Sequence, residues 1–181
     1  TGIITTANHK LDSTSGEIRT GIITATNIVV GTALSTSSNQ TGFGTASPRA
    51  KVDIEGSAKF KTYSEFVQTL DISGGNVNIN LADAQSFTLA VDADVSQFTL
   101  LNPPTGATAF SILITQDSTG GHSVGIATFK DSGGTAIPVK FPAGGVLPIV
   151  TTTASKSDIY SFKTFDGGST LFGVVGGQNF A

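Results

Sequence analysis

GFGTASPRAKVDIEGSAKF, residues 42–60, divides the chain into two stretches of different character. Before it lies a thin, repetitive segment rich in Gly and Thr. After it, short apolar runs studded with Phe are long enough together to bury a core. Within the stretch, Ser47 is a good N-cap and Pro48 suits the first helical position, where a missing N–H costs nothing. Val52 and Ile54 then alternate with Asp53 and Glu55, which is strand periodicity. The expectation is one helical turn followed by a strand.

The chain therefore reads as an extended β shaft over residues 1–41, a joint over 42–62 and a C-terminal knob over 63–181. In the shaft, TGIITTAN (residues 1–8) returns as TGIITATN (residues 20–27), an offset of 19 residues from Thr1 to Thr20. The pairs Ile3-Ile4 and Ile22-Ile23 are β-branched and flanked by Thr, which favours strand over helix. LSTSSNQ (residues 34–40) resembles a linker, but Ile28, Val29 and Val30 do not. One copy of this segment has too little apolar surface to bury its own backbone. Sharing a core among copies of the chain around a symmetry axis solves that problem.

From Tyr63 onward, strand signals come at short spacing. Apolar positions stand at Phe66, Leu70 and Ile72; Val77, Ile79 and Leu81 then alternate with Asn78 and Asn80. Phe87, Leu89 and Val91 alternate likewise, and Phe98-Thr99-Leu100 follows. NPPTG (residues 102–106) breaks the pattern. Phe110, Ile112 and Ile114 mark the strand expected to be most buried. Further strands are expected over 124–129, 137–141, 146–150, 159–165 and 171–175, with DSGG, PAGG and DGG as the turns between them. No segment shows sustained helical periodicity. The fold class is all-β, and the knob is expected to be a β-sandwich, jelly-roll-like, with a single closed barrel as the second choice.

Composition narrows the function classes. Lys+Arg number 10 against Asp+Glu 13, for a net charge of −3. No cluster of basic residues is present to hold nucleic acid or an anionic membrane. Cysteine is absent, so no disulfide or thiolate metal site contributes. No apolar run approaches the roughly 20 residues of a membrane-spanning helix, and no signal peptide opens the chain. Methionine is also absent, and the chain begins inside a repeat. These features are expected of part of a longer polypeptide, anchored elsewhere by an N-terminal portion.

The catalytic inventory is thin. His9 and His122 are far apart, and no HxxxH or CxxC spacing provides metal ligands. No cofactor is expected. A Ser nucleophile has no G-x-S-x-G elbow to sit on. Neither Gly144-Gly145 nor Gly176-Gly177 leads into Lys-Ser/Thr and a helix, as a phosphate-binding loop requires. Asp117, Asp131, Asp158 and Asp166 are the carboxylates from which a polysaccharide hydrolase would draw its pair. Three of them precede Ser or Gly in turns, where Asp is favoured for its backbone hydrogen bonds. The chain has no Trp, the usual platform for sugar rings, and its Tyr residues are Tyr63 and Tyr160. An enzyme is not expected.

GFGTASPRAKVDIEG (residues 42–56) resembles the GIGT-x-x-P-x-x-K-L-D-V-x-G element of phage tail fibres and related trimeric virion fibres. Here Phe43 stands for the usual Ile, and Val52-Asp53-Ile54 for Leu-Asp-Val. The C-terminal run from Asp158-Ile159-Tyr160-Ser161-Phe162 through Asp166-Gly167-Gly168 to Gly176-Gly177-Gln178-Asn179-Phe180 is similar to the ends of many such fibres, notably those of cyanophages. The resemblance implies a homotrimer, an external position on the virion and attachment to other virion proteins. It also implies that the knob meets a host cell-surface glycan or protein, without nucleic acid or membrane insertion. Receptor contacts are expected in loops, at Asp117, Ser118 and His122 and at Asp166 and Gly167. A capsid fibre or decoration protein, a knob acting chiefly as a trimerisation clamp, and a polysaccharide-degrading tailspike are the alternatives.

Overall fold

The computed structural model describes residues 41–43, 52–54 and 57–181. The repeats, His9 and the helical turn expected at Ser47 lie outside them. The chain divides into two units, Thr1–Lys61 and Thr62–Ala181. In the first, strand β1 (Thr41–Phe43) pairs in parallel with β2 (Val52–Ile54), so the strand expected from the Val52/Ile54 alternation is present.

The second unit is all-β apart from one four-residue helical turn, α1 (Pro142–Gly145). Eleven further strands build two sheets. One contains β4 (Ile72–Ser73), β5 (Asn76–Asn80), β7 (Gln97–Leu101), β9 (Phe129–Lys130) and β10 (Ala136–Ile137), in the spatial order β10-β9-β7-β5-β4. The other contains β3 (Val67–Leu70), β6 (Ser86–Val91), β8 (Thr108–Gln116), β11 (Val139–Lys140), β12 (Ser157–Thr164) and β13 (Leu171–Phe180), in the order β11-β13-β12-β8-β6-β3.

The topology corrects the jelly-roll-like expectation. Jelly rolls are antiparallel, whereas here β3, β6 and β8 run parallel, as do β5, β7 and β9. The chain changes sheet after each strand or hairpin, from β3 to β4 and β5, to β6, to β7, to β8 and on to β9. Parallel neighbours need a long crossover. The strand in the opposite sheet supplies it, where a βαβ unit would use a helix. The winding ends with β12 and β13, which add antiparallel strands to the edge of the larger sheet.

Both sheets contribute to one apolar cluster. Period-two alternation turns Val77 and Ile79, Phe87 and Leu89, and Phe110, Ile112 and Ile114 inward, all nearly inaccessible to solvent. Rings from the two sheets meet at the centre: Phe129 lies 5.0 Å from Phe162 and 6.4 Å from Phe110. Each such burial contributes about 1.5–3 kcal/mol, and the ring geometry adds about 0.5–1.5 kcal/mol per pair.

Two expected strands do not form. Over 124–129, Val124 makes a single bridge to Val95, and the chain then turns through Ile126 N–H to Val124 C=O and Thr128 N–H to Gly125 C=O. Only Phe129 reaches the ladder. Over 146–150, the chain leaves α1 through Gly144 and Gly145, both at positive φ, and Pro148 has no N–H to donate. Val146, Leu147 and Ile149 are left exposed, Ile149 at 85%.

Candidate functional site

The five loop residues singled out by sequence fall into two groups. Strand β8 pairs antiparallel with β12, Thr108 opposite Thr164 and Thr115 opposite Ser157. Asp117 follows one end of β8, and Asp166 lies beyond the other. Nine residues of strand separate them by roughly 25–30 Å at about 3.3 Å per residue. They do not form one site.

At the first end, Asp117 organises its own turn. Its Oδ1 accepts the N–H of Gly120 at 2.7 Å and that of Thr119 at 2.9 Å. The Gly120 amide is the main reason its carboxyl is held below the usual carboxylate range, against the opposing effect of burial. Gly120 is at φ +66°, and a Cβ there would lie 2.5 Å from the Ala154 nitrogen, so only glycine fits. Ser118 is exposed at the tip.

His122, expected among the receptor-contact loop residues, is half-buried. Buried Gln116 grips its backbone on both sides, donating to the His122 carbonyl and accepting its N–H. The imidazole Nε2 lies 3.5 Å from Asp117 Oδ1, an ion pair only when the ring is protonated. Asp94 accepts the Ser123 N–H and hydroxyl, the amide being the chief cause of its lowered pKa.

At the second end, three turns enclose a cleft of about 350 Å³. Half-buried Pro103 supplies apolar surface over the buried side chains of Leu100 and Ile137; Asp131, Thr135 and Ser169 are among its polar lining residues. Asp131 Oδ1 accepts the N–H groups of Gly133 at 2.9 Å and Thr135 at 2.8 Å, closing one wall. The opposite wall carries Gly167 and Gly168. Behind it, Asp166 Oδ1 accepts the hydroxyl of buried Thr164 at 2.8 Å and the Thr170 N–H at 3.0 Å. The Thr164 hydroxyl is the main cause of the lowered Asp166 pKa. Gly168 sits at φ +90° with Pro103 against it; a Cβ there would come within 2.9 Å of the proline ring. Of the two predicted residues here, Asp166 braces the wall and Gly167 lines it.

Asp158, a candidate acid by sequence, is a structural anchor. It is 1% exposed and stands where the β12–β13 register shifts. A bulge leaves backbone groups unpaired, and the Asp158 carboxylate accepts one of them, the Asn179 N–H, at 2.8 Å, together with the Thr151 N–H at 2.7 Å. Burial pushes its pKa upward, but these amides, the Thr151 hydroxyl and Gln178 outweigh that, and the carboxyl stays below the ordinary range. Gln178 also donates to Tyr160 Oη and to the Ile149 carbonyl. Sequence pattern marked Tyr160 and Asp158 but not this network, whose partners are 7 to 29 residues apart.

Among the described residues, every carboxylate with a displaced pKa, Asp94, Asp117, Asp158 and Asp166, is displaced downward. Such groups remain ionised near neutral pH and spend their oxygens on backbone amides and hydroxyls. Among the described residues, no group of three His, Cys, Asp or Glu is placed to hold a metal ion, and no helix is long and apolar enough to cross a membrane. No protein-family model, curated protein or solved structure matches the chain.

Proposed function

We propose that this chain is part of a trimeric virion fibre, a tail fibre that displays its C-terminal unit for attachment to a host surface. The observation that carries the reading is the order of sequence elements: TGIIT repeats, then GFGTASPRAKVDIEG, then the Gly-rich C-terminal run, as in phage fibres. The exposed apolar residues support assembly. Val146, Leu147 and Ile149, with Phe172, Val174, Val175 and Phe180 on β13, are each more than 40% exposed in the single chain. Large apolar groups left wet in number usually mark a contact surface. Three copies around an axis would cover such groups and multiply weak contacts into avidity.

The tailspike alternative needs a general acid with a raised pKa beside a second carboxylate. Among the described residues the displaced carboxylates are lowered and tied to backbone amides and hydroxyls, which favours the attachment reading. A trimerisation clamp is the second reading, favoured by the exposed apolar groups on β13.

Solution mass separates an assembled fibre from a lone molecule: three times the 18.4 kDa chain is expected, and a monomer at micromolar concentration overturns the reading. Adsorption separates attachment from clamping. Alanine at Asp117 or Asp166 would loosen the turns themselves, so the informative substitutions are at exposed Ser118 and Ser169. Trimers that no longer compete with particles for host cells support attachment; substitutions without effect on competition support the clamp.

A further inference from the structure

We propose that the cleft between the 131–135 and 166–170 turns binds a neutral saccharide unit. The proposal deepens the attachment reading and rests on it for the origin of the ligand. Its volume, about 350 Å³, lies at the lower end of the range of about 300–1,000 Å³ for small-molecule sites. Its chemistry selects the class. Half-buried Pro103 offers a small apolar surface, backed by the buried side chains of Leu100 and Ile137, while Asp131, Thr135 and Ser169 offer a carboxylate and two hydroxyls. A sugar ring has the matching division, a C–H face and a hydroxyl-bearing edge.

Other classes fit poorly. Among the described residues no Lys, Arg or His lines the cleft, so an anionic ligand finds no counter-charge there. A wholly apolar ligand would strip water from Asp131 without replacing its hydrogen bonds, which is costly. Asp131 uses Oδ1 for the Gly133 and Thr135 amides, and among the described residues Oδ2 accepts no hydrogen bond. That oxygen is available to a ligand hydroxyl. The walls are already formed, since Thr164 holds both Asp166 and the Gly168 N–H at 2.9 Å. Little ordering cost remains at binding.

Saturation-transfer NMR on the full, assembled chain tests this. The probes are the methyl glycosides of glucose, galactose, mannose and N-acetylglucosamine, with N-acetylneuraminic acid as an anionic comparison. At least one neutral glycoside is expected to receive saturation, and the acid is not. Ser169→Trp, at an exposed rim position, is expected to abolish transfer. Asp131→Asn keeps the Oδ1 acceptor and is expected to weaken binding about tenfold through loss of a charge-assisted hydrogen bond. Thermal unfolding of both variants checks that the turns remain intact. Transfer to none of the neutral glycosides, transfer to the acid alone, or wild-type binding by Ser169→Trp each overturns the proposal. Solution mass and adsorption competition on the same samples keep the two readings apart: trimers that compete for host cells yet bind no glycoside remove the saccharide cleft and leave the fibre standing.

Discussion

The carboxylate of Asp158 accepts the backbone N–H of Asn179 at 2.8 Å, from the bulged region of β12 to a residue at φ +59° near the end of β13. Its other oxygen takes the Thr151 N–H, so one buried side chain ties a loop and two strands together. Asp158→Ala would orphan these donors, at a cost of about 1–3 kcal/mol each. Because the folded-state pKa is lowered, the carboxylate stabilises fully above its ordinary unfolded value near 3.9, and that contribution is lost as pH falls below it. Urea midpoints measured from pH 7 down to pH 3 should fall in the wild type, and the gap to Asp158→Asn should narrow across the acid range. A gap independent of pH would refute the assignment.

Tyr160 titrates in the opposite sense. Burial, followed by the charge of Asp158, pushes its pKa up to about 12. A raised folded-state value means stability present below the ordinary phenol value of about 10 and lost as pH rises from there towards 12. In a Tyr63→Phe background, which leaves Tyr160 as the sole tyrosine, phenolate absorbance should develop near pH 12 or together with unfolding. A phenolate band at pH 10 in the folded protein would contradict the buried network.

Two glycines separate conformational strain from steric exclusion. Gly74 and Gly120 both have positive φ, +57° and +66°. A Cβ on Gly74 meets nothing within 4 Å, whereas one on Gly120 meets the backbone of Thr152 and Ala154 at 2.5–2.8 Å. Gly74→Ala should cost about 1 kcal/mol from the left-handed backbone alone. Gly120→Ala should cost distinctly more, because backbone rather than a flexible side-chain end must move. Chemical denaturation of the two variants side by side measures the difference, and equal losses would refute the close approach.

Assembly has its own prediction. Ile149 is 85% exposed, and its carbonyl accepts a hydrogen bond from Gln178. Ile149→Lys should leave the fold of the C-terminal unit within about 0.5 kcal/mol of wild type, as surface substitutions do. If copies pack over this loop in the fibre, the same change should shift the mass towards 18.4 kDa on dilution. Sedimentation at several concentrations reads the shift; an unchanged mass places the interface elsewhere.

Much of the strand pattern is legible in the residues. Alternation at Val77/Ile79, Phe87/Leu89/Val91 and Phe110/Ile112/Ile114 states which side chains face a core, because successive side chains in a strand point to opposite faces whatever lies next to it. DSGG and DGG mark turns through Gly134, Gly167 and Gly168 at positive φ and through aspartates that cap their own backbones, while NPPTG turns through its prolines and Asn102 at φ +48°. A period of two carries no information about a strand's neighbour or its direction. Parallel stacking of β3, β6 and β8 therefore emerges only when the crossover through the opposite sheet is seen. The same limit explains residues 146–150, whose apolar character mimics a strand although Pro148 lacks a donor. It also explains the site. Asp117 and Asp166 look alike in sequence, each an Asp opening a turn, yet β8 holds them at opposite ends. The cleft joins Asp131 to Gly167 and Leu100, residues more than 30 positions apart, through packing that no local pattern encodes.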